Sequence, residues 1–205
     1  MRRRRGERKV VGITGLIGSG KSRVCRFLAA RLTSRLIDAD GVAARLMATG
    51  QPGWRAIKDL NSKYIMADGR LDRARLRRDI FSDPAIKGTI DALIHPLIQK
   101  EVERDIAASA GTVLVEAPLL FEAGWQDLFD VLILVYADQE ACERRVMQRD
   151  GVDRRQAQQA FASQMPAARK IERVHHVIDN SGTWCETQLQ LLHLATLLER
   201  NSGSL

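Results

Sequence analysis

Residues 9–32 read K-V-V-G-I-T-G-L-I-G-S-G-K-S-R-V-C-R-F-L-A-A-R-L. A mainly apolar run, 9–15, leads into Gly15, Leu16, Ile17, Gly18, Ser19, Gly20, Lys21 and Ser22, which satisfy G-x-x-x-x-G-K-[ST] at every fixed position. A helical pattern of apolar residues follows at once. Strand, glycine loop and helix in register make this a phosphate cradle rather than a chance glycine-rich turn. The glycines let successive N–H groups converge on phosphate oxygens, and the helix that follows adds its positive N-terminus. The expectation is an ATP site in which Gly15, Ile17, Gly18, Ser19, Gly20, Lys21 and Ser22 line the nucleotide. Lys21 reaches the β and γ phosphates, and the Ser22 hydroxyl holds Mg²⁺.

Working outward, four further runs rich in β-branched residues lie at 34–40, 112–120, 130–137 and 175–180. Most are continuous rather than alternating, as expected of strands covered on both faces of a parallel sheet. Helical patterns fill 21–31, 85–109, 139–148 and 183–200. This alternation predicts a doubly wound α/β fold with a five-stranded parallel sheet, whose ligands sit beyond the carboxyl ends of the strands. Far more chain separates the second run from the third than a simple crossover needs. It carries the turn signals Pro52-Gly53, Asp68-Gly69 and Asp83-Pro84, and is read as a mostly helical insert over the acceptor substrate.

The chain has 205 residues, 45% hydrophobic and 28% charged, enough for one α/β domain with a sizeable core. No run of apolar residues is long enough to span a bilayer. The Arg-rich start runs directly into the first strand without an apolar signal region, and reads as an anion-attracting tail. Three cysteines, Cys25, Cys142 and Cys185, show neither disulfide nor zinc spacing, so reduced thiols in a cytoplasmic protein are expected. The net charge of +7 suits either nucleic acid or a highly anionic small molecule. Aromatics at 5% are too few for a base-stacking surface, and no nucleic-acid motif occurs.

The motif identifies a nucleotide, not a reaction. Asp38 and Asp40 fall at the expected carboxyl end of the second strand, where a carboxylate can accept the proton of a phosphoryl acceptor. Alternatively, one of them caps the helix beginning near Val42. The string 38–41 also spells D-x-x-G, but the N-K-x-D signature of guanine recognition is missing. Glu116, at the end of the third run, is a candidate for the metal shell, with Glu122 a weaker one. Arg145 and Arg149 are four residues apart and share a helix face, suited to neutralising charge on a transferring phosphoryl group. His95-Pro96 interrupts a helical pattern. Asn180 follows the fifth run on the ligand edge.

The loop together with I-D-A-D (37–40), H-P-L-I (95–98), E-A-P-L-L-F-E (116–122), Q-R-D (148–150) and V-I-D-N-S-G (177–182), in this order and spacing, resembles the dephospho-coenzyme A kinase family from Val10 to about Leu192. The resemblance implies a P-loop kinase of three-layer architecture with a helical coenzyme A domain and a lid. The implied reaction transfers the ATP γ-phosphoryl group to the ribose 3′-hydroxyl of dephospho-coenzyme A. It places the catalytic set on Asp40, Lys21, Arg145 and Arg149. Acceptor contacts fall on Asp40, His95, Pro118 and Leu119, nucleotide contacts on the loop with Arg149 and Asn180, and metal contacts on Ser22 and Glu116. The implied division is a core at about 8–60, 111–140 and 172–205, an insert at about 61–110 and a lid at about 141–171. The expected partners are the small-molecule substrate alone, with no nucleic acid and no membrane. A monomer is expected, with a small homo-oligomer as the alternative. Leu16 stands where the family commonly has Gly, Glu116 where it usually has Asp, and His175 where it often has Asp, and A-A-R-K-I near 167–171 departs from the usual E-K-R. The rival readings are another small-molecule P-loop kinase, a nucleic-acid-dependent ATPase and a non-catalytic nucleotide-binding regulator.

Overall fold

Five short runs form the strands of the computed structural model, which describes residues 8–162 and 164–200. They are β1 (Val10–Gly15), β2 (Arg35–Asp38), β3 (Val113–Glu116), β4 (Val131–Tyr136) and β5 (His176–Asp179). They make one parallel sheet in the order β2-β3-β1-β4-β5. β1 lies between β3, with Val11 opposite Leu114, and β4, with Gly15 opposite Val135. The central strand is the one that carries the glycine loop, so its carboxyl end opens at the middle of the sheet edge. The Arg-rich start, residues 1–7, lies outside the described residues.

Alternation along β1 sends Val11 and Ile13 to one face and Gly12 and Thr14 to the other. On the first face, α1 (Lys21–Arg31) and α9 (Trp184–Arg200) close over the strands, and Val24, Leu28, Leu191 and Leu194 join Ile13 in a buried cluster. Arg23 of α1 lies 3.9 Å above the Trp184 ring, and Phe27 meets that ring edge-on. On the second face, Phe129 and Leu120 from the β3–β4 connection lie directly over Gly12, where a larger side chain would clash. After β4 the chain forms α6 (Gln139–Asp150), α7 (Arg154–Ala162) and α8 (Ala167–Ile171) before returning as β5.

The chain divides into two compact units, Asp38–Ala107 and the remainder. The smaller is helical, built from α2 (Ala39–Leu46), α3 (Pro52–Leu60), α4 (Arg73–Ser82) and α5 (Pro84–Ala107). α5 is its spine: Ile90, Ile94, Ile98, Val102 and Ile106, at intervals of four, are all buried. α2, α3 and α4 each pack on α5. Pro96 sits inside α5, where it removes one ladder donor without ending the helix. Buried Tyr64 donates to Asp79 at 2.9 Å, and Lys63 pairs with the same carboxylate at 2.8 Å.

Of the boundaries that differ from the sequence reading, three bear on the site. β2 stops at Asp38 and not at Asp40, because the Asp38 carboxylate accepts the Asp40 N–H at 3.0 Å and so caps α2. β3 stops at Glu116, four residues early. Ala117 still donates to the Ile13 carbonyl, but Pro118 has no N–H with which to continue the ladder. The helical unit starts at Asp38, whereas residues up to about 60 were expected with the core; α2 and α3 pack on α5 instead.

Candidate active site

The loop after β1 owes its shape to glycines at positive φ. Gly18 (φ 77) and Gly20 (φ 84) adopt left-handed conformations that side chains disfavour. Neither has room for a Cβ. At Gly18 it would lie 2.6 Å from the Cys142 carbonyl, and at Gly20 it would overlap the Asn180 carboxamide. α1 has no side-chain cap, and the N–H groups of Gly18, Gly20, Lys21 and Ser22 have no protein acceptor among the described residues. A ring of unspent donors at a helix N-terminus is an anion site.

Glu116 closes the cradle on the β3 side. Its Oε1 accepts the Ser22 hydroxyl at 2.6 Å and lies 3.3 Å from Lys21 Nζ. Lys21 and Glu116 are both buried, at 9% and 7% exposure, so the contact is formed largely out of water. The register places Glu116 opposite Ile13, two residues before the loop begins. A glutamate, one methylene longer than aspartate, spans from the end of β3 to both loop side chains. Lys21, Ser22 and Glu116, expected as phosphate and metal residues, are therefore assembled in one place.

Asn180 and Arg145 buttress the loop. Buried Asn180 donates from Nδ2 to the Ser19 carbonyl at 2.7 Å, and its Oδ1 accepts from Thr187 at 2.9 Å. Arg145, on α6, donates to the Gly18 carbonyl at 3.3 Å and to the Asn180 carbonyl at 2.9 Å. Arg149 does not join it. Its guanidinium forks onto neighbouring Asp150 at 2.7 and 2.8 Å, and this hydrogen bonding raises its pKa. Cys142, beneath Gly18, is buried, and desolvation pushes its thiol up to about 11, which leaves it inert.

Pro118 acts through its carbonyl, which accepts from Thr14 Oγ1 at 3.1 Å and from Lys170 Nζ at 3.0 Å. Leu119 is exposed. Asp40 and His95 belong to the helical unit. There Asp40 occupies the first turn of α2, and His95 Nε2 lies 3.6 Å from Asp91 on the preceding turn of α5.

Two residues were missed. Gln164 Oε1 accepts the Ile17 N–H at 2.9 Å, and fully buried Lys170 pairs with Glu122 at 3.0 Å. Burial lowers the Lys170 pKa and Glu122 raises it, while the nearby positive charge of Lys21 lowers it further. Gln164 lies in no motif, and the segment holding Lys170 departs from the family pattern. A lysine in A-A-R-K-I carries no mark of burial, and a glutamine after a short amphipathic helix reads as surface.

The donor set fits a polyphosphate with Mg²⁺. It offers unspent backbone N–H groups, one lysine, one hydroxyl and one carboxylate, and no cluster of three or more metal-ligating side chains occurs among the described residues. Such a site leaves most of the ion's coordination to phosphate and water. A family model for dephospho-CoA kinase matches residues 9–186. The chain belongs to the dephospho-CoA kinase family. The dephospho-CoA kinase of Geobacter metallireducens is 39% identical over 190 residues, covering 90% of this chain and 94% of that one. The crystal structure of TT1252 from Thermus thermophilus superposes with a TM-score of 0.80 at 35% identity, covering 93% and 97% of the two chains. The dephospho-CoA kinase of Campylobacter jejuni, at 22% identity and TM-score 0.66, covers 95% of this chain and 98% of its own and shares the fold. Members of this family are ATP-dependent phosphotransferases, and the five-stranded core with its loop is that of a P-loop kinase. Among the described residues, no helix is long and apolar enough to cross a membrane.

Proposed function

We propose that this chain transfers the γ-phosphoryl group of ATP to the ribose 3′-hydroxyl of dephospho-coenzyme A, giving coenzyme A and ADP. The observation that carries the reading is the assembled set Lys21, Ser22 and Glu116 around the loop, in a chain that matches the family over residues 9–186. The loop N–H groups and Lys21 hold the β and γ phosphates, and in-line attack by the 3′-oxygen expels ADP. Ser22 and Glu116 are the residues to hold Mg²⁺, which when bound offsets negative charge on the phosphate oxygens.

Asp40 is the proposed proton acceptor for the 3′-hydroxyl. Its support is its place in the first turn of α2, two residues after the end of β2. His95, Pro118 and Leu119 are proposed as acceptor-binding residues, and the helical unit as the part that takes the coenzyme A moiety. Residues of about 141–171 are the proposed lid. In it, Arg145 has the better support as a phosphate-site residue through its hold on Gly18, while Arg149 requires release from Asp150 to act. A cytoplasmic monomer is the proposed state.

The test is incubation of purified protein with ATP, Mg²⁺ and dephospho-coenzyme A, following ADP release and the product mass. AMP, dTMP, gluconate and duplex DNA serve as alternative acceptors. A product one phosphoryl group heavier, formed with dephospho-coenzyme A alone, is the expected result. Turnover only with another acceptor would retain the kinase and discard this substrate.

A further inference from the structure

The segment between α7 and β5 returns to the glycine loop and is tied down at three points. Gln164 Oε1 accepts the Ile17 N–H at 2.9 Å. The next residue, Met165, donates its N–H to Glu122 Oε1 at 2.8 Å. Six residues after Gln164, Lys170 reaches the same carboxylate at 3.0 Å and the Pro118 carbonyl at 3.0 Å, with its side chain wholly buried. Pro118 is itself held by Thr14, the penultimate residue of β1. A buried, paired lysine anchored to Pro118 and Glu122 of the segment after β3, and through Pro118 to Thr14 of β1, fixes the backbone on which Gln164 stands.

That anchoring orients the Gln164 carboxamide. The Ile17 N–H can only donate, so the atom facing it is the carbonyl oxygen, and the amide nitrogen occupies the other fork. Both heteroatoms share one carbon, so Nε2 necessarily lies beside the loop. Its two hydrogens have no acceptor among the described residues. Ile17 is the third residue of the loop, ahead of the unspent N–H groups of Gly18 and Gly20. An Nε2 turned toward Gly18 and Gly20 would add a preorganised neutral donor to that cradle of backbone donors.

We propose that Gln164 is a phosphate-contacting residue: held by Ile17 through its carbonyl, it donates from Nε2 to the terminal phosphoryl oxygens of ATP, with the Glu122–Lys170 pair as its positioning element. This rests on the phosphotransfer reading above and deepens it. A neutral donor fixed before reaction stabilises charge on the transferring group without reorganisation.

The test separates a donor from a strut. Gln164→Glu keeps an acceptor for Ile17 and removes the donors, whereas Gln164→Ala removes both. Three readouts are taken on folded protein with matched thermal unfolding: exchange of the Ile17 amide in nucleotide-free protein, calorimetric affinities for ADP and for the β,γ-imido analogue of ATP, and kcat with dephospho-coenzyme A. The expected result is that Gln164→Glu preserves Ile17 protection. It nevertheless weakens the imido analogue relative to ADP by about tenfold or more, and lowers kcat by about 10²-fold. If Gln164→Glu keeps the wild-type ratio of analogue to ADP affinity while Gln164→Ala does not, Gln164 is a strut and the proposal is overturned. A wild-type protein silent on dephospho-coenzyme A, with the affinity ratio still shifted in the variants, overturns the substrate reading and leaves this contact standing.

Discussion

Ser22 and Glu116 share a hydrogen bond of 2.6 Å across the gap between the first helix and the third strand. Because the same carboxylate oxygen also stands 3.3 Å from Lys21, one side chain sets the positions of both motif residues that meet the nucleotide. Glu116→Gln removes the charge from this shared contact. Its kcat is expected to fall by about 10- to 100-fold, with a higher Mg²⁺ requirement. Glu116→Asp, which keeps the charge on a side chain one methylene shorter, should stay closer to wild type. Titrating Mg²⁺ at saturating ATP for both variants checks this, and an unchanged Mg²⁺ requirement in Glu116→Gln would remove the metal role.

Asp40 is proposed to act on the acceptor and Lys21 on the donor, so their variants should separate. Asp40→Asn is expected to lower kcat by about 10²-fold or more while nucleotide affinity stays near wild type. Lys21→Ala should impair both. Steady-state kinetics alongside ADP titration distinguish the two, and a kcat within a few-fold of wild type for Asp40→Asn would show that another group directs the hydroxyl.

Asn180 ties β5 and α9 to the loop through Ser19 and Thr187. Asn180→Ala leaves the Ser19 carbonyl and the Thr187 hydroxyl without this partner inside the protein. A loss of about 1–3 kcal/mol of stability is expected, with weaker ATP binding. Thermal unfolding with and without nucleotide measures both effects. Stability unchanged from wild type would mean that the loop holds its shape without this buttress.

Glu143 of α6 is buried and hydrogen-bonded to Gln139, to Arg154 at 2.9 Å and to Gln158 of α7, and these bonds lower its pKa below the ordinary 4.5. A depressed carboxylate pKa stabilises the folded state fully above the ordinary value, and the contribution disappears as pH falls through the depressed one. The difference in Tm between wild type and Glu143→Gln should therefore be largest at neutral pH and shrink in acid. A difference independent of pH would assign the effect to packing rather than charge.

Much of the architecture is legible in the chain because local chemistry decides it. The run 9–15, the glycines at 18 and 20 and the helical pattern after Lys21 prescribe strand, turn and helix by spacing alone, and the continuous apolar runs specify a buried parallel sheet. Family membership follows from the order of short motifs, each weak alone. Other features depend on what distant segments bring together. Asp38 rather than Asp40 ends β2 because a side-chain cap competes with one more residue of strand, and propensity does not weigh that contest. Arg145 and Arg149 share a helix face in the sequence, yet only Arg145 meets a loop carbonyl, because Asp150 lies next to Arg149 and claims its guanidinium. Gln164 and Lys170 became visible only in three dimensions. The placement of a glutamine on the Ile17 N–H depends on a contact across 147 positions of chain, and the burial of a lysine depends on Glu122 being there to receive it. Periodicity reports which face of an element is apolar; it carries no information about which polar atoms from remote elements will meet there.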